Sequence, residues 1–310
     1  MIYSRMIGAV RATNLIEYIG PTHDPKYLYP DMTEDELAAN VGWLSPHQYV
    51  PHMSRFIVAM QIWVIHAGDS VIIIDTGVGN AKPRPAVPRM HQLNTLTLQW
   101  LAAAGAAPEQ VTHVINTHFH GDHVGWNTTL VDGRWSPTFP NARYYFSKAD
   151  FDAHRAAYAG GNRTTLSGGF EDSVLPIVEA GLAELVDEDT QYIDCLRVEH
   201  APGHTPGQFT LRVSSKGQEG ILCADIMHTP VQIALPHVNT VVDMIPELAR
   251  ATRAEFLERA ARRNALIMPC HFGFPHCGYV RGSDQGGYSF EPEPVLNRLN
   301  DNEFYSIGKN

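Results

Sequence analysis

Six consecutive residues, His118-Phe119-His120-Gly121-Asp122-His123, constrain this chain more than any other stretch. Three imidazoles and a carboxylate, all metal ligands of the hard or borderline kind, fall within them. Val111 to Asn116, just ahead, has the pattern of a buried β-strand, and Val124-Gly125-Trp126-Asn127 begins a short helical turn. The ligands therefore sit on a tight loop at a strand end, where side chains converge on one point. Alternate positions His118 and His120 can face one ion; past the flexible Gly121, Asp122 and His123 turn toward a second. A lone His-x-His is common on strand faces, but four ligands in six positions call for metal chemistry.

The rest of the composition narrows the setting. The length of 310 residues accommodates one large domain or two small ones. Hydrophobic and charged contents of 44% and 18% are those of a globular protein. No apolar run reaches the roughly 18–20 residues of a membrane span. The opening Met1-Ile2-Tyr3-Ser4-Arg5 lacks the basic patch and apolar core of an export signal. Cys195, Cys223, Cys270 and Cys277 form no Cys-x-x-Cys pair, so reduced thiols and a cytoplasmic location are expected. A net charge of -10 argues against a nucleic-acid surface, and a small-molecule substrate is the expected partner.

Residues 1–50 are rich in Pro, Tyr and acidic side chains and show little periodicity; they are expected to form an arm packed on a main domain spanning 51–310. Within the arm, Thr33 and Glu36 have the spacing of a helix capping box. Phe56–His66 and Val71–Asp75 read as a hairpin about the Ala67-Gly68-Asp69-Ser70 turn. Gln92–Ala104 is expected to be helical, with Leu93, Leu96, Trp100 and Ala104 on one face. Asn141–Phe146 follows as a strand and Ala149–Tyr158 as a helix, then residues 160–169 as a glycine-rich surface loop. Gln191–Glu199 and Gln208–Val213 flank Gly203-His204-Thr205, Gly220–Asp225 ends on a carboxylate, and Pro246–Arg263 is an amphipathic helix. Ala265–Pro269 runs as a buried strand into Cys270-His271.

His204, Asp225 and His271 thus stand at strand ends and complete a set of seven with the six-residue loop. Together with Ile74-Asp75-Thr76-Gly77, this order of motifs resembles the metallo-β-lactamase superfamily over roughly residues 56–280. The resemblance implies an α/β fold, a four-layer αββα sandwich with a metal site at one edge of its sheets. It assigns His118, His120 and His204 to one ion, Asp122, His123 and His271 to a second, and Asp225 to a bridging position, with Asp75 beside the ligands. Two divalent ions follow, zinc first, with manganese, iron or cobalt accepting the same donors. Cys223 and Cys270 are expected to be structural.

Asp225-Ile226-Met227-His228, Gln232 and His271-Phe272-Gly273-Phe274-Pro275 are similar to the branch containing methyl parathion hydrolase and the N-acyl-homoserine lactonases. That likeness implies a hydrolase using a bridging hydroxide on a lactone, aryl ester or phosphotriester of a small apolar substrate, with homodimers common. Asp122 and His228 are the expected catalytic residues, His228 as a polar contact to substrate or leaving group. Phe119, Trp126, Phe272, Phe274 and Trp43 are the expected aromatic walls. The alternatives are a glyoxalase II-like thioesterase, whose basic C-terminal extension is missing here, and a mononuclear-iron persulfide dioxygenase. No Gly-x-Ser-x-Gly motif offers a protein nucleophile.

Overall fold

The structure, a computed structural model, describes residues 2–162, 168–187, 189, 191–283 and 286–294. The first sheet contains β1 (Ile2–Ile7), β2 (Val10–His23), β3 (Tyr49–Val50), β4 (Arg55–Ala67), β5 (Ser70–Ile74) and β6 (His113–Ile115). A hairpin of β7 (Thr128–Val131) and β8 (Arg134–Pro137) stands apart, and β9 (Arg143–Ser147) and β10 (Ala183–Val186) complete the sheet in the order β1-β2-β4-β5-β6-β9-β10, with β3 on β4. The second sheet runs β11 (Gln191–Ile193), β12 (Leu196–His200), β13 (Phe209–Ser215), β14 (Gln218–Leu222), β15 (Leu266–Met268), β16 (Gly278–Gly282) and β17 (Tyr288–Pro292) in sequence order. The helices are α1 (Pro25–Leu28), α2 (Glu34–Leu44), α3 (Thr97–Ala103), α4 (Lys148–Ala159), α5 (Leu175–Glu179), α6 (Val231–Ala234) and α7 (Pro246–Arg263). None is long and apolar enough among the described residues to cross a membrane.

Strand periodicity of two explains the layers. In β4 and β5, Trp63, Ile65, Ile72 and Ile74 point inward and meet Leu196, Phe209, Leu211 and Leu222 of the second sheet. Their neighbours Ile62, Val64 and Ile73 point outward and pack under Leu101 of α3, Phe151 of α4 and Ile177 of α5. The outer face of the second sheet, through Ile221 and Ile267, is covered by Phe256, Leu257 and Ala260 of α7. The result is the expected αββα sandwich. β5, β6 and β9 pair in parallel, as do β14 and β15. Their C-terminal ends, where α/β sheets bind ligands, therefore open at one edge of the sandwich.

Some local expectations hold: Thr33 and Glu36 form the capping box of α2, and the helix expected over Ala149–Tyr158 is α4. Others are corrected. Residues 1–50 carry β1 and β2, and β2 pairs along most of β4 inside the first sheet. The helix expected from Gln92 begins only at Thr97. Residues 92–95 are instead tied to the preceding loop: Ala81 donates to the Leu93 carbonyl, Gln92 to that of Lys82, and the Thr95 amide to Asn80 Oδ1 at 2.8 Å. The strand expected over Gln191–Glu199 is broken into a hairpin at Asp194-Cys195. Of the glycine-rich stretch 160–169, residues 163–167 lie outside the described residues.

A buried carboxylate joins the new strand to the metal-loop side of the molecule. Glu17 of β2 accepts from the Val78 amide at 2.6 Å, Trp126 Nε1 at 2.6 Å and the Thr97 hydroxyl at 3.3 Å. Burial pushes its carboxyl above the ordinary range, opposed by these donors. Glu17→Ala leaves those donors buried without an acceptor, at about 1–3 kcal/mol each. Denaturant unfolding is expected to show a loss on the order of 3 kcal/mol, with Glu17→Gln milder because one oxygen acceptor remains. A loss for the alanine variant below about 1 kcal/mol contradicts the anchoring role.

Candidate metal centre

The loop after β6 is built around Asp75, which follows β5 in the left-handed region at φ 53°. Its carboxylate accepts from the Thr117 amide at 2.7 Å, the Thr117 hydroxyl at 2.9 Å and His123 Nδ1 at 2.8 Å. The His123 carbonyl accepts from the Thr76 amide at 2.7 Å and Asn116 Nδ2 at 2.7 Å, closing the loop on itself. Gly125 is required at the turn that follows, because a Cβ there would stand 1.9 Å from the Val78 carbonyl oxygen.

The second sheet supplies the remaining donors. Asp150 accepts from Thr205 Oγ1 at 2.8 Å and the Gly207 amide at 2.6 Å, which fixes the loop carrying His204. Burial raises the Asp150 carboxyl to about 6 despite these bonds. Asp225 follows β14, its amide donating to Gln208 Oε1 at 3.2 Å. His271 follows β15 and is held by one residue of β4: its carbonyl accepts from the Ala59 amide at 2.9 Å and its Nδ1 donates to the Ala59 carbonyl at 2.8 Å.

All seven expected donors converge. Donor atoms of His118, His120, His204 and Asp225 lie within 4.8 Å of one another, as do those of Asp122, His123 and His271. Asp225 Oδ2 is 3.7 Å from His118 Nε2, 3.4 Å from His123 Nε2, 3.3 Å from His204 Nε2 and 3.1 Å from His271 Nε2. His228 Nε2 stands as near, at 3.3 Å, and its ring stacks on His271 with centroids 5.1 Å apart. His118 Nε2, His123 Nε2 and Asp225 Oδ1 are buried without hydrogen-bond partners. Buried polar atoms without partners are costly, and inward-facing imidazole nitrogens around a carboxylate have the donor chemistry of a divalent-cation site.

Charge follows from the same geometry. Burial, reinforced by neighbouring histidines, holds His118 and His120 well below the usual imidazole range. For His204 burial acts downward, but Asp225 and Asp243 outweigh it and raise the ring to about 9. Burial is likewise outweighed at His123, by Asp225, Asp75 and Asp122, and at His271, by Asp225 and Asp122. Asp225 lies well below the carboxylate range because the histidines overcome its burial. Cation binding at this cluster would therefore be coupled to loss of protons from His123, His204 and His271.

Of the groups that aim the rings, Asp75 is expected beside the ligands, but Asp243 and the Ala59 carbonyl are not. Asp243 accepts from His204 Nδ1 at 2.9 Å and is itself held by the Thr240 amide at 2.9 Å and Arg253 Nη2 at 3.3 Å. No local motif marks Asp243 or the Ala59 carbonyl. The expected aromatic walls are also corrected. Phe119 packs in the core with Phe146 and Phe170, Phe272 packs against Phe290, and Trp126 is buried on Glu17. Trp43 and Phe274 line a separate cavity. A cavity of about 340 Å³ opens instead on His120, Asp122, Asp225, His228 and His271, and its walls are mostly aliphatic: Leu28, Val58, Met60, Met90, Val241 and Val242. Cys223 and Cys270 are buried thiols; burial pushes both upward, and Cys270 Sγ donates to Asp75 Oδ2 at 3.4 Å.

Asp243→Asn removes the anionic partner of His204 while keeping its shape. Zinc affinity, measured by competition with a chromophoric chelator, is expected to fall about 10–100-fold with little change in the apo fold. Unchanged affinity contradicts the aiming role of Asp243.

Residues 60–271 match the model of the metallo-beta-lactamase superfamily. A curated N-acyl homoserine lactonase from a Bacillus species is 20% identical over 182 residues, covering 54% of this chain and 63% of that protein. Among solved structures, the hydrolase AbOPH of the beta lactamase superfamily aligns with a TM-score of 0.78 at 24% identity, covering 94% of this chain and 97% of that one. AidC, a dizinc quorum-quenching lactonase in complex with a product, aligns with a TM-score of 0.76 at 22% identity, covering 96% and 98%. With its fold, its convergent donors and a family match over most of its length, the chain belongs to the metallo-beta-lactamase superfamily.

Proposed function

We propose that this chain is a dinuclear metal-dependent lactonase acting on a small, largely apolar substrate. The observation that carries this reading is the position of the donor cluster: two donor sets meet at Asp225 on the floor of an aliphatic cavity. The size, about 340 Å³, is within the range of small-molecule sites, roughly 300–1,000 Å³. His118, His120 and His204 would hold one divalent cation and Asp122, His123 and His271 a second, with the Asp225 carboxylate within reach of both donor sets. Nitrogen and oxygen donors suit zinc, and the dizinc lactonase AidC supports that choice over manganese, iron or cobalt. When bound, such cations supply a water acidified toward a pKa of about 7 and polarise a carbonyl.

The residues of the chain supply the remaining functions. Asp75, Asp243 and the Ala59 carbonyl hold three imidazoles by their Nδ1 atoms, so the rings need no reorganisation. Asp122, on the cavity side of the cluster, takes the proton released in the attack and passes it to the departing alkoxide. His228 lines the cavity beside Asp225, its Nε2 3.3 Å from Asp225 Oδ2, and is the polar side chain placed to contact the substrate oxygen or leaving group. Leu28, Val58, Met60, Met90, Val241 and Val242 exclude water and receive the acyl part. His23, Tyr27 and Leu28 from the N-terminal segment supply one wall of the cavity. A glutathione thioester fits this cavity less well, because Arg89 is its one Lys or Arg side chain.

Zinc-loaded protein is expected to hydrolyse N-acyl homoserine lactones in preference to nitrophenyl esters, a phosphotriester and a thioester. No lactone turnover with zinc bound contradicts the substrate class. In oxygen-18 water, label is expected in the product of the first turnover; an unlabelled first product or a trapped acyl-enzyme overturns direct attack by water. His228→Ala is expected to lower turnover about 10–100-fold with the zinc content unchanged. Loss of zinc from that variant makes His228 a ligand instead.

A further inference from the structure

One cation faces the same cavity with no opposite charge to meet it. Arg89 lies on the 3-10 turn Pro88–Met90, which is pinned by the buried Met90 and by the Met90 amide donating to the Val87 carbonyl. Its guanidinium donates from Nη2 to His23 Nε2 at 2.6 Å, and His23 Nδ1 in turn meets Thr22 Oγ1 at 2.7 Å. Arg89 Nε is buried without a hydrogen-bond partner, and no ion pair to Arg89 forms among the described residues. Burial, with Arg89 beside it, pushes His23 down to about 3, so its partner is a neutral ring that leaves the positive charge uncompensated. The two carboxylates that line the cavity, Asp122 and Asp225, belong to the donor cluster and are engaged there.

Arg89 is half-buried at the wall of a mostly aliphatic cavity, and an anion brought to that wall meets an unpaired cation. Its planar fork matches a carboxylate, which it binds by two parallel hydrogen bonds. We propose that Arg89 selects the substrate of this cavity, and that the preferred lactone or ester carries a carboxylate remote from the bond that is broken. The proposal deepens the hydrolase reading and rests on it. The donor cluster acts on the scissile carbonyl, the aliphatic wall takes the intervening chain, and Arg89 anchors the far end. His23 is a positioning residue, keeping the guanidinium turned toward the cavity.

The test compares the p-nitrophenyl half-ester of adipic acid with the same ester capped as its methyl diester, on zinc-loaded protein. Arg89→Met, which keeps the apolar stem, is expected to lower kcat/KM for the half-ester about 10–100-fold through KM, the worth of a charge-assisted pair. The capped diester is expected to change by less than about twofold, and Arg89→Lys to fall between, since it keeps the charge and loses the fork. Equal losses on both esters, or none on either, overturn the assignment. Calorimetric binding of adipate against hexanoate to the zinc-loaded protein gives a readout that needs no turnover. Wild type is expected to prefer adipate and Arg89→Met to lose the preference; a preference that is missing in wild type or survives in the variant refutes the proposal. Absence of hydrolysis with the adipate preference intact would overturn the lactonase reading alone.

Discussion

One carboxylate oxygen organises the centre of this molecule. Asp225 Oδ2 faces five imidazole nitrogens, those of His118, His123, His204, His228 and His271, at 3.1 to 3.7 Å. Such a cluster is tolerable only if charge is balanced within it, because ions taken out of water lose hydration worth several kcal/mol each. Protons can supply that balance in part, as the raised rings of His123, His204 and His271 show. Divalent cations would supply it and would also satisfy His118 Nε2, His123 Nε2 and Asp225 Oδ1, which are buried without partners.

The fold can be understood as the scaffold for that convergence. Asp75 and the 116–123 loop come from the first sheet, while His204, Asp225 and His271 come from the second. The two halves are sutured at the cluster by Ala59 of β4, whose amide and carbonyl both engage His271. Asp150 of α4 holds the His204 loop across the same seam. These bonds hold the rings before any ligand arrives, which is the condition for a preorganised site.

The four donors of the 118–123 loop were legible from local spacing because metal chemistry restricts residue type severely, whereas His204, Asp225 and His271 were picked out by their strand-end positions together with that loop and the family resemblance. The β4–β5 hairpin was legible as two apolar runs about a turn, and the layered fold followed only from the family resemblance that the motifs carry. What escaped depends on register between distant segments. Asp243 meets His204 because the segment before α7 returns to the loop between β12 and β13, where the Met244 and Ile245 amides donate to the His204 and Gly203 carbonyls, and nothing near either residue announces the pair. β2 escaped because Ala12 through Glu17 are buried on both faces, polar side chains included, so no alternation shows. The premature helix start at Gln92 is a case of tertiary override, the segment being held by Asn80 and Lys82. The aromatic walls failed because an apolar residue type does not say whether it faces a core or a cavity: Phe119 and Phe272 are core, and aliphatic side chains line the site.

The central claim is that Asp225 lies between two cations. Crystals of the zinc-loaded protein, measured with X-rays on either side of the zinc absorption edge, test it most directly. Two anomalous peaks are predicted, one among His118, His120 and His204 and one among Asp122, His123 and His271, with Asp225 between them and about 3.5–4 Å separating the ions. A single fully occupied peak, or a second peak coordinated away from Asp225, would contradict the account.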